Sequence, residues 1–368
     1  MKDWFVVNNI EKIDSPALLV YADRVKDNIN LAVKMVGNDP GVLRPHVKTN
    51  KMPEVCKLML AAGITKFKCA TIAEAEMLAQ AGASDILLAY QPVGPKILRL
   101  TALIKAYPSS LFSCLTDSIT GALSISEKCE QEDVTLRVFI DLNVGMNRTG
   151  IVPEKALELY RDLCAMKGIS VIGLHAYDGH LHDEDLNKRQ QKSDDAFTRV
   201  FDLSEQIRLI SNIQPTIVVG GTPTFSTHLK RAGVECSPGT FVFWDWNYKR
   251  ILQEQSFSCA ALVLTRVISI ISDTMICTDL GHKSVAAENP LPRVYFLNAE
   301  AVEAVGQSEE HLVLQVQDAS KYKIGDVLYG VPYHICPTVA LYEKAFVVTG
   351  NEVTDEWRIT ARDRYIKL

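Results

Sequence analysis

Val42-Leu43-Arg44-Pro45-His46-Val47-Lys48-Thr49-Asn50-Lys51 is the stretch from which the fold and the chemistry are both read. An apolar run enters it, and Lys48 stands where that run gives way to a polar turn. Pro53 then sits near the start of the next helix, where a missing N–H costs nothing. Side chains alternate along a strand, so residues 44, 46 and 48 project together. Arg44 and His46 beside Lys48 would lower its pKa, as an imine-forming lysine requires. A basic strand end facing water has the same spacing, so the surrounding chain has to choose between the two.

Outward from this stretch, short apolar runs alternate with amphipathic segments. The pattern predicts strands at 17–21, 43–48, 66–70, 85–90, 111–115, 135–141, 170–177 and 215–220, with helices between them. Thr71 is placed to cap one helix, and Asp117 or Ser118 another. Eight strand–helix units of Val/Ile/Leu-rich strands describe an α/β fold, a (β/α)8 TIM barrel over residues 14–240. Past Gly239 come β-rich runs without intervening helices, at 258–271, 273–277, 293–298, 311–316, 323–330 and 345–349. They predict a mostly antiparallel β domain over 241–368, which residues 1–13 are free to join.

The chain has 368 residues, enough for a barrel plus a second module. A net charge of −5 with mixed signs and no basic tract argues against nucleic acid as a partner. No apolar run reaches bilayer length, and Met1-Lys2-Asp3-Trp4 lacks a signal-peptide core, so no membrane is expected. Nine scattered cysteines read as reduced thiols of a cytoplasmic protein.

Barrel active sites lie at the C-terminal ends of the strands. There the sequence offers Lys48, then Asp141-Leu-Asn-Val-Gly-Met-Asn-Arg-Thr-Gly150, in which Arg148 can bind an anion or a phenolate. The run His175-Ala-Tyr-Asp-Gly-His-Leu-His182 crowds three imidazoles at one strand end, or forms a self-satisfied polar loop. Val219-Gly-Gly-Thr-Pro-Thr-Phe225 gathers backbone and hydroxyl donors late in the barrel, as a phosphate cradle does. In Tyr333-His334-Ile335-Cys336-Pro337-Thr338, an extended backbone would put His334 and Cys336 on one face, able to share a metal ion. A buried cysteine beside a surface histidine fits the same spacing.

Taken in order, these parts resemble the fold-type III pyridoxal-phosphate enzymes with an alanine-racemase-like N-terminal barrel. Among them the chain resembles the D-threonine aldolase / D-serine dehydratase family. The carriers are Arg44-Pro-His-Val-Lys-Thr49, residues 141–150, Gly220-Gly-Thr-Pro-Thr224, Ser237-Pro-Gly239 and His334-Ile-Cys-Pro-Thr338. The resemblance implies that Lys48 carries pyridoxal 5'-phosphate and that Gly220, Gly221, Thr222 and Thr224 hold its phosphate. It implies that His46, Arg148 and Tyr177 line the ring, and that His334 and Cys336 bind a divalent zinc or manganese ion. The chain departs from the family at Asn50, often histidine in relatives, and at Phe241, Phe243 and Trp244, where a hydroxyl-bearing ring is expected.

The implied activity is cleavage of a D-threonine-type substrate to glycine and an aldehyde, with His180 or His182 taking the β-hydroxyl proton. The alternative is D-serine-type dehydration to an oxoacid and ammonia. A non-catalytic vitamin B6 carrier is a third reading, which the second domain and the His334/Cys336 pair disfavour. A racemase would need no metal at the β-carbon. A small-molecule substrate and a homodimer are the partners the resemblance implies.

Overall fold

In a computed structural model, residues 3–299 and 301–368 are described. The first strand, β1 (Ala17–Tyr21), is buried along its whole length and does not enter the barrel. Its period had placed it there as the first stave. An apolar run covered on both faces looks alike in either kind of sheet, so periodicity could not separate them.

The barrel is a curled, wholly parallel sheet of seven strands in sequence order. They are β2 (Lys66–Cys69), β3 (Asp85–Leu88), β4 (Leu111–Thr116), β5 (Leu136–Leu142), β6 (Ile169–Ala176), β7 (Thr216–Val219) and β8 (Val234–Cys236). The Lys48 stretch closes it. Leu43 bridges Cys236 of β8 and His46 bridges Lys68 of β2, both in parallel sense. Arg44 N donates to Cys236 O at 2.8 Å and Val47 N to Lys68 O at 2.9 Å. The stretch is thus an eighth stave, reduced to isolated bridges because Pro45 has no N–H to give a ladder. The sequence count of eight held β1 in error and passed over β8, whose three residues show no period.

Arg44 also corrects an expectation. It does not stand free beside Lys48 but lies buried, with Nη1 at 2.6 Å from Asp85 and Nε at 2.6 Å from Glu235. Arg137 holds the other Asp85 oxygen at 3.0 Å and Lys66 reaches Glu235 at 2.5 Å. Burial alone would raise the Asp85 carboxyl, but Arg44 and Arg137 bring it below the usual carboxylate range. This network ties β2, β3, β5 and β8 to the closing stave. Leu87, Leu115, Phe139 and Val218 form a buried cluster across β3, β4, β5 and β7. Thr71 caps the helix Ile72–Ala81 by accepting from Glu74 N at 3.0 Å, and Ser118 caps Ile119–Gln131 by accepting from Gly121 N at 3.2 Å. Together with this barrel go Leu31–Lys48, Pro53–Gly239 and Asp363–Leu368.

The second unit takes in the chain up to Asn30, Thr49–Met52 and Thr240–Arg362. Its strands are β1, β9 (Ala261–Ser272), β10 (Met275–Thr278), β11 (Val294–Phe296), β12 (Glu303–Gln307), β13 (Leu312–Gln315), β14 (Val327–Pro332), β15 (Lys344–Thr349) and β16 (Glu352–Arg358). The order is β12-β13-β10-β9-β1-β15-β16, with β14 on β9 and β11 on β14. Every pairing is antiparallel except β1 with β15, so the sheet is mostly antiparallel. Its core gathers Val263, Ile276, Phe296, Leu314 and Leu328. The exposed edge strand β16 carries Glu352, Asp355, Glu356 and Arg358, charges that discourage further pairing. No described helix is long and apolar enough to cross a membrane, and all nine cysteines are free thiols.

Candidate active site

The closing stave delivers Lys48 to the C-terminal end of the barrel, the loop after β5 delivers Arg148, and Tyr177 follows β6 directly. Lys48, His46, Arg148 and Tyr177, all singled out from the sequence, line one cavity of about 640 Å³ together with Lys68 and His175. The Arg148 guanidinium stands 5.0 Å from the Tyr177 ring centre, and Lys68 Nζ stands 5.4 Å from it.

Sequence reasoning missed Lys68. In Lys66-Phe67-Lys68-Cys69 the apolar residues take one strand face and the lysines the other, which reads as a solvated face. In a closed barrel that second face is the interior, and Lys68 is 2% exposed. Its Nζ lies 3.4 Å from His175 Nε2, while His175 Nδ1 lies 2.7 Å from Asp141 Oδ1. Burial and then the Lys48 charge pull the Lys68 amine down to about 7, against the attraction of Asp141 and Asp178. Burial and Lys68 likewise lower His175, with the Asp141 hydrogen bond opposing them. The imidazole is therefore neutral, its Nδ1–H donated to Asp141 and its Nε2 accepting from Lys68.

The turn after β7 is shaped by what it lacks. Gly220 has a φ of +69°, and a Cβ there would come 2.7 Å from His228 Cδ2. A Cβ on Gly221 would come 2.8 Å from Tyr177 Cε2, so the bare backbone lets the ring lie against the turn. Both threonine oxygens are tied inward. Thr224 Oγ1 donates to Asp178 at 2.6 Å, and Thr222 Oγ1 accepts from Gly239 N at 3.1 Å. Asp178 also holds His228 Nε2 at 2.9 Å, so Thr224 supports the turn from beneath.

The expected histidines lie elsewhere. His180 lines a second cavity of about 800 Å³ with Lys192 and Arg199, and among the described residues its Nδ1 has no hydrogen-bond partner. His182 is exposed. The structure does not bring either to the wall of the Lys48 cavity.

In the β unit, His334 and Cys336 are not on an extended segment as expected. His334 is the N-cap of the short helix Ile335–Val339, which has Pro337 in its first turn and the Thr338 hydroxyl donating back to His334 O at 2.8 Å. The helix still leaves imidazole and sulfur adjacent. Burial would lower His334, but hydrogen bonds to Cys336 and Glu288 lift it to about 9. Glu288 Oε1 stands 2.5 Å from His334 Nδ1, and Cys336 Sγ lies 3.0 Å from Thr49 Oγ1. Among the described residues no three His, Cys, Asp or Glu side chains form a metal cluster. The pair fits a metal as two donors. Glu288 holds Nδ1, which leaves Nε2 as the donor for a metal, the carboxylate–histidine arrangement of metal ligands.

A parallel barrel with a lysine at a stave end, cations around an open cavity and a glycine turn late in the barrel defines a fold-type III pyridoxal-phosphate enzyme. The chain belongs to the family described as alanine racemase, N-terminal domain, whose profile matches residues 20–244. A putative serine dehydratase domain matches residues 260–348. The chain is similar to a D-threonine aldolase from an Arthrobacter species, 26% identical over 96% of this chain and 94% of that one. The solved structure of D-threonine aldolase from Filomicrobium marinum superposes with a TM-score of 0.88 at 26% identity, covering 95% of each chain. A cysteine-to-alanine mutant of D-threo-3-hydroxyaspartate dehydratase in the metal-free form shares the fold, with a TM-score of 0.82 at 23% identity over 94% of this chain and 97% of that one.

Proposed function

We propose that this chain, a pyridoxal-phosphate-dependent lyase, cleaves D-3-hydroxy amino acids of the D-threonine type to glycine and an aldehyde. The observation that carries the reading is the cavity that gathers Lys48, Arg148 and Tyr177 at the barrel's strand ends. The end-to-end similarity to D-threonine aldolases supports the aldolase reading.

Pyridoxal phosphate, when bound, supplies an electron sink beside the substrate's Cα. Lys48 would hold it covalently. Arg148 would hold the phenolate side, where a fixed cation stabilises charge without reorganising. Tyr177, lying against Gly221, and His46 would line the ring. Gly220, Gly221 and Thr222 would receive the phosphate, with Thr224 and Asp178 bracing the turn below them. A divalent ion at His334 and Cys336 would supply Lewis acidity, zinc being the default for an imidazole–thiolate pair and manganese the alternative. No step is assigned to His180 or His182.

The test is the product. D-Threonine should give glycine and acetaldehyde. Formation of 2-oxobutanoate and ammonia without glycine would replace the aldolase reading with the dehydratase one.

A further inference from the structure

We propose that Lys68 is a second acid–base residue of the cavity, delivering a proton to the substrate's Cα once the Cα–Cβ bond has broken, with His175 and Asp141 holding its amine in position. The inference rests on the lyase reading above.

Buried lysines are almost always paired, because an isolated ammonium out of water is costly. Lys68 is 2% exposed, yet among the described residues no carboxylate stands at ion-pair distance from its Nζ. What holds it is His175 Nε2 at 3.4 Å, fixed in turn by Asp141 at 2.7 Å. Arg44 and Lys48 from the closing stave, Asp141 from β5, His175 from β6 and Asp178 beyond it are the charged or titratable groups facing the amine, with Arg148 and Tyr177 across the cavity. Burial, joined by Lys48 and Arg44, outweighs Asp141 and Asp178, so the amine exchanges its proton near neutral pH. A lysine kept only for packing would not open onto the cavity that holds Lys48.

The step balances. Cleavage leaves an electron pair at Cα. The Nζ–H bond of the Lys68 ammonium breaks and Cα–H forms, leaving a neutral amine. That amine regains a proton from water entering the open cavity, matching the proton the β-hydroxyl gave up. His175 is a positioning residue. With Nδ1–H spent on Asp141, its Nε2 takes one Lys68 hydrogen and aims the others into the cavity.

Two measurements decide the matter. In cofactor-free protein, trace acetylation with mass-spectrometric readout should show Lys68 gaining reactivity with a midpoint of about 7. A midpoint at the ordinary lysine value, about 10.4, overturns the proposal. In cofactor-loaded protein, exchange of the glycine α-hydrogen with D2O should fall about 100-fold or more in both Lys68→Met and Lys68→Arg. Borohydride should still fix the cofactor to Lys48 in each variant. Recovery of exchange by Lys68→Arg shows that charge alone suffices and overturns the acid–base role, since guanidinium does not give up its proton. Should Lys68→Met lose the cofactor, Lys68→Gln and the acetylation midpoint take its place. Wild-type protein that exchanges glycine but releases no aldehyde from D-threonine sinks the aldolase reading while leaving Lys68 supported. Wild-type protein that does not exchange glycine overturns Lys68.

Discussion

Replacing Arg44 with Met should destabilise the barrel by about 3 kcal/mol, the low end of the cost of breaking a buried ion pair. The low end applies because neither carboxylate is wholly abandoned. Asp85 keeps Arg137 at 3.0 Å and Glu235 keeps Lys66 at 2.5 Å. Both surviving cations are more exposed than Arg44, so they hold those charges less well. About 3 kcal/mol is roughly two decades in the unfolding constant. Urea titration separates the two units, because Trp4, Trp244, Trp246 and Trp357 all belong to the β unit while most helices belong to the barrel. Far-ultraviolet circular dichroism should therefore shift to lower urea more than tryptophan fluorescence does. The pH dependence has a definite sign. The Asp85 carboxyl is held below its ordinary value, so its contribution is complete above about pH 3.9 and lost as pH falls through the folded value. The gap between wild type and Arg44→Met should narrow below about pH 4. Equal stability of the two proteins at neutral pH, within about 0.5 kcal/mol, would refute the assignment of Arg44 to a structural clamp.

Two further outcomes bear on the site. Gly221→Ala places a Cβ 2.8 Å from the Tyr177 ring. Overpacking of about 1–3 kcal/mol should loosen cofactor retention on dialysis roughly 5- to 150-fold, and unchanged retention would remove the turn from the cofactor site. Chelation, or Cys336→Ala, should abolish aldehyde release while the cofactor stays bound, and full activity in metal-free protein would exclude the metal. Glu288→Gln should weaken metal binding about 10- to 100-fold in a competition titration, because Nδ1 of His334 loses its charged partner.

What the sequence made legible was mostly what one element settles alone. The period of the strands, the caps at Thr71 and Ser118 and the glycine turn after β7 are local, and the structure has them where the pattern put them. What it hid was partnership. β1 has the composition of a barrel strand and pairs with β9 and β15 instead. β8 is too short to carry a period, so its pairing with the Leu43 stretch could not be seen. His334 and Cys336 meet across a helix start where strand alternation had been assumed, and Pro337 was the available signal.

Arg44 and Lys68 show the same limit from opposite sides. Arg44 read as a group acting on Lys48, because alternation alone gave it the same face. The acids that claim it, Asp85 and Glu235, come from strands far along the chain, and their approach depends on barrel closure. Nothing marked Lys68, because the alternation in Lys66-Phe67-Lys68-Cys69 is that of a strand with one solvated face. Closure turns that reading inside out: the apolar face packs outward under the helices, and the polar face becomes the wall of a cavity. In a closed parallel barrel, then, a lone lysine between buried apolar neighbours is better assigned to the interior than to the surface. Once there, an amine without a paired carboxylate has to be sustained by something else. Here that is one neutral imidazole, itself held by Asp141, beside an open cavity that already contains Lys48.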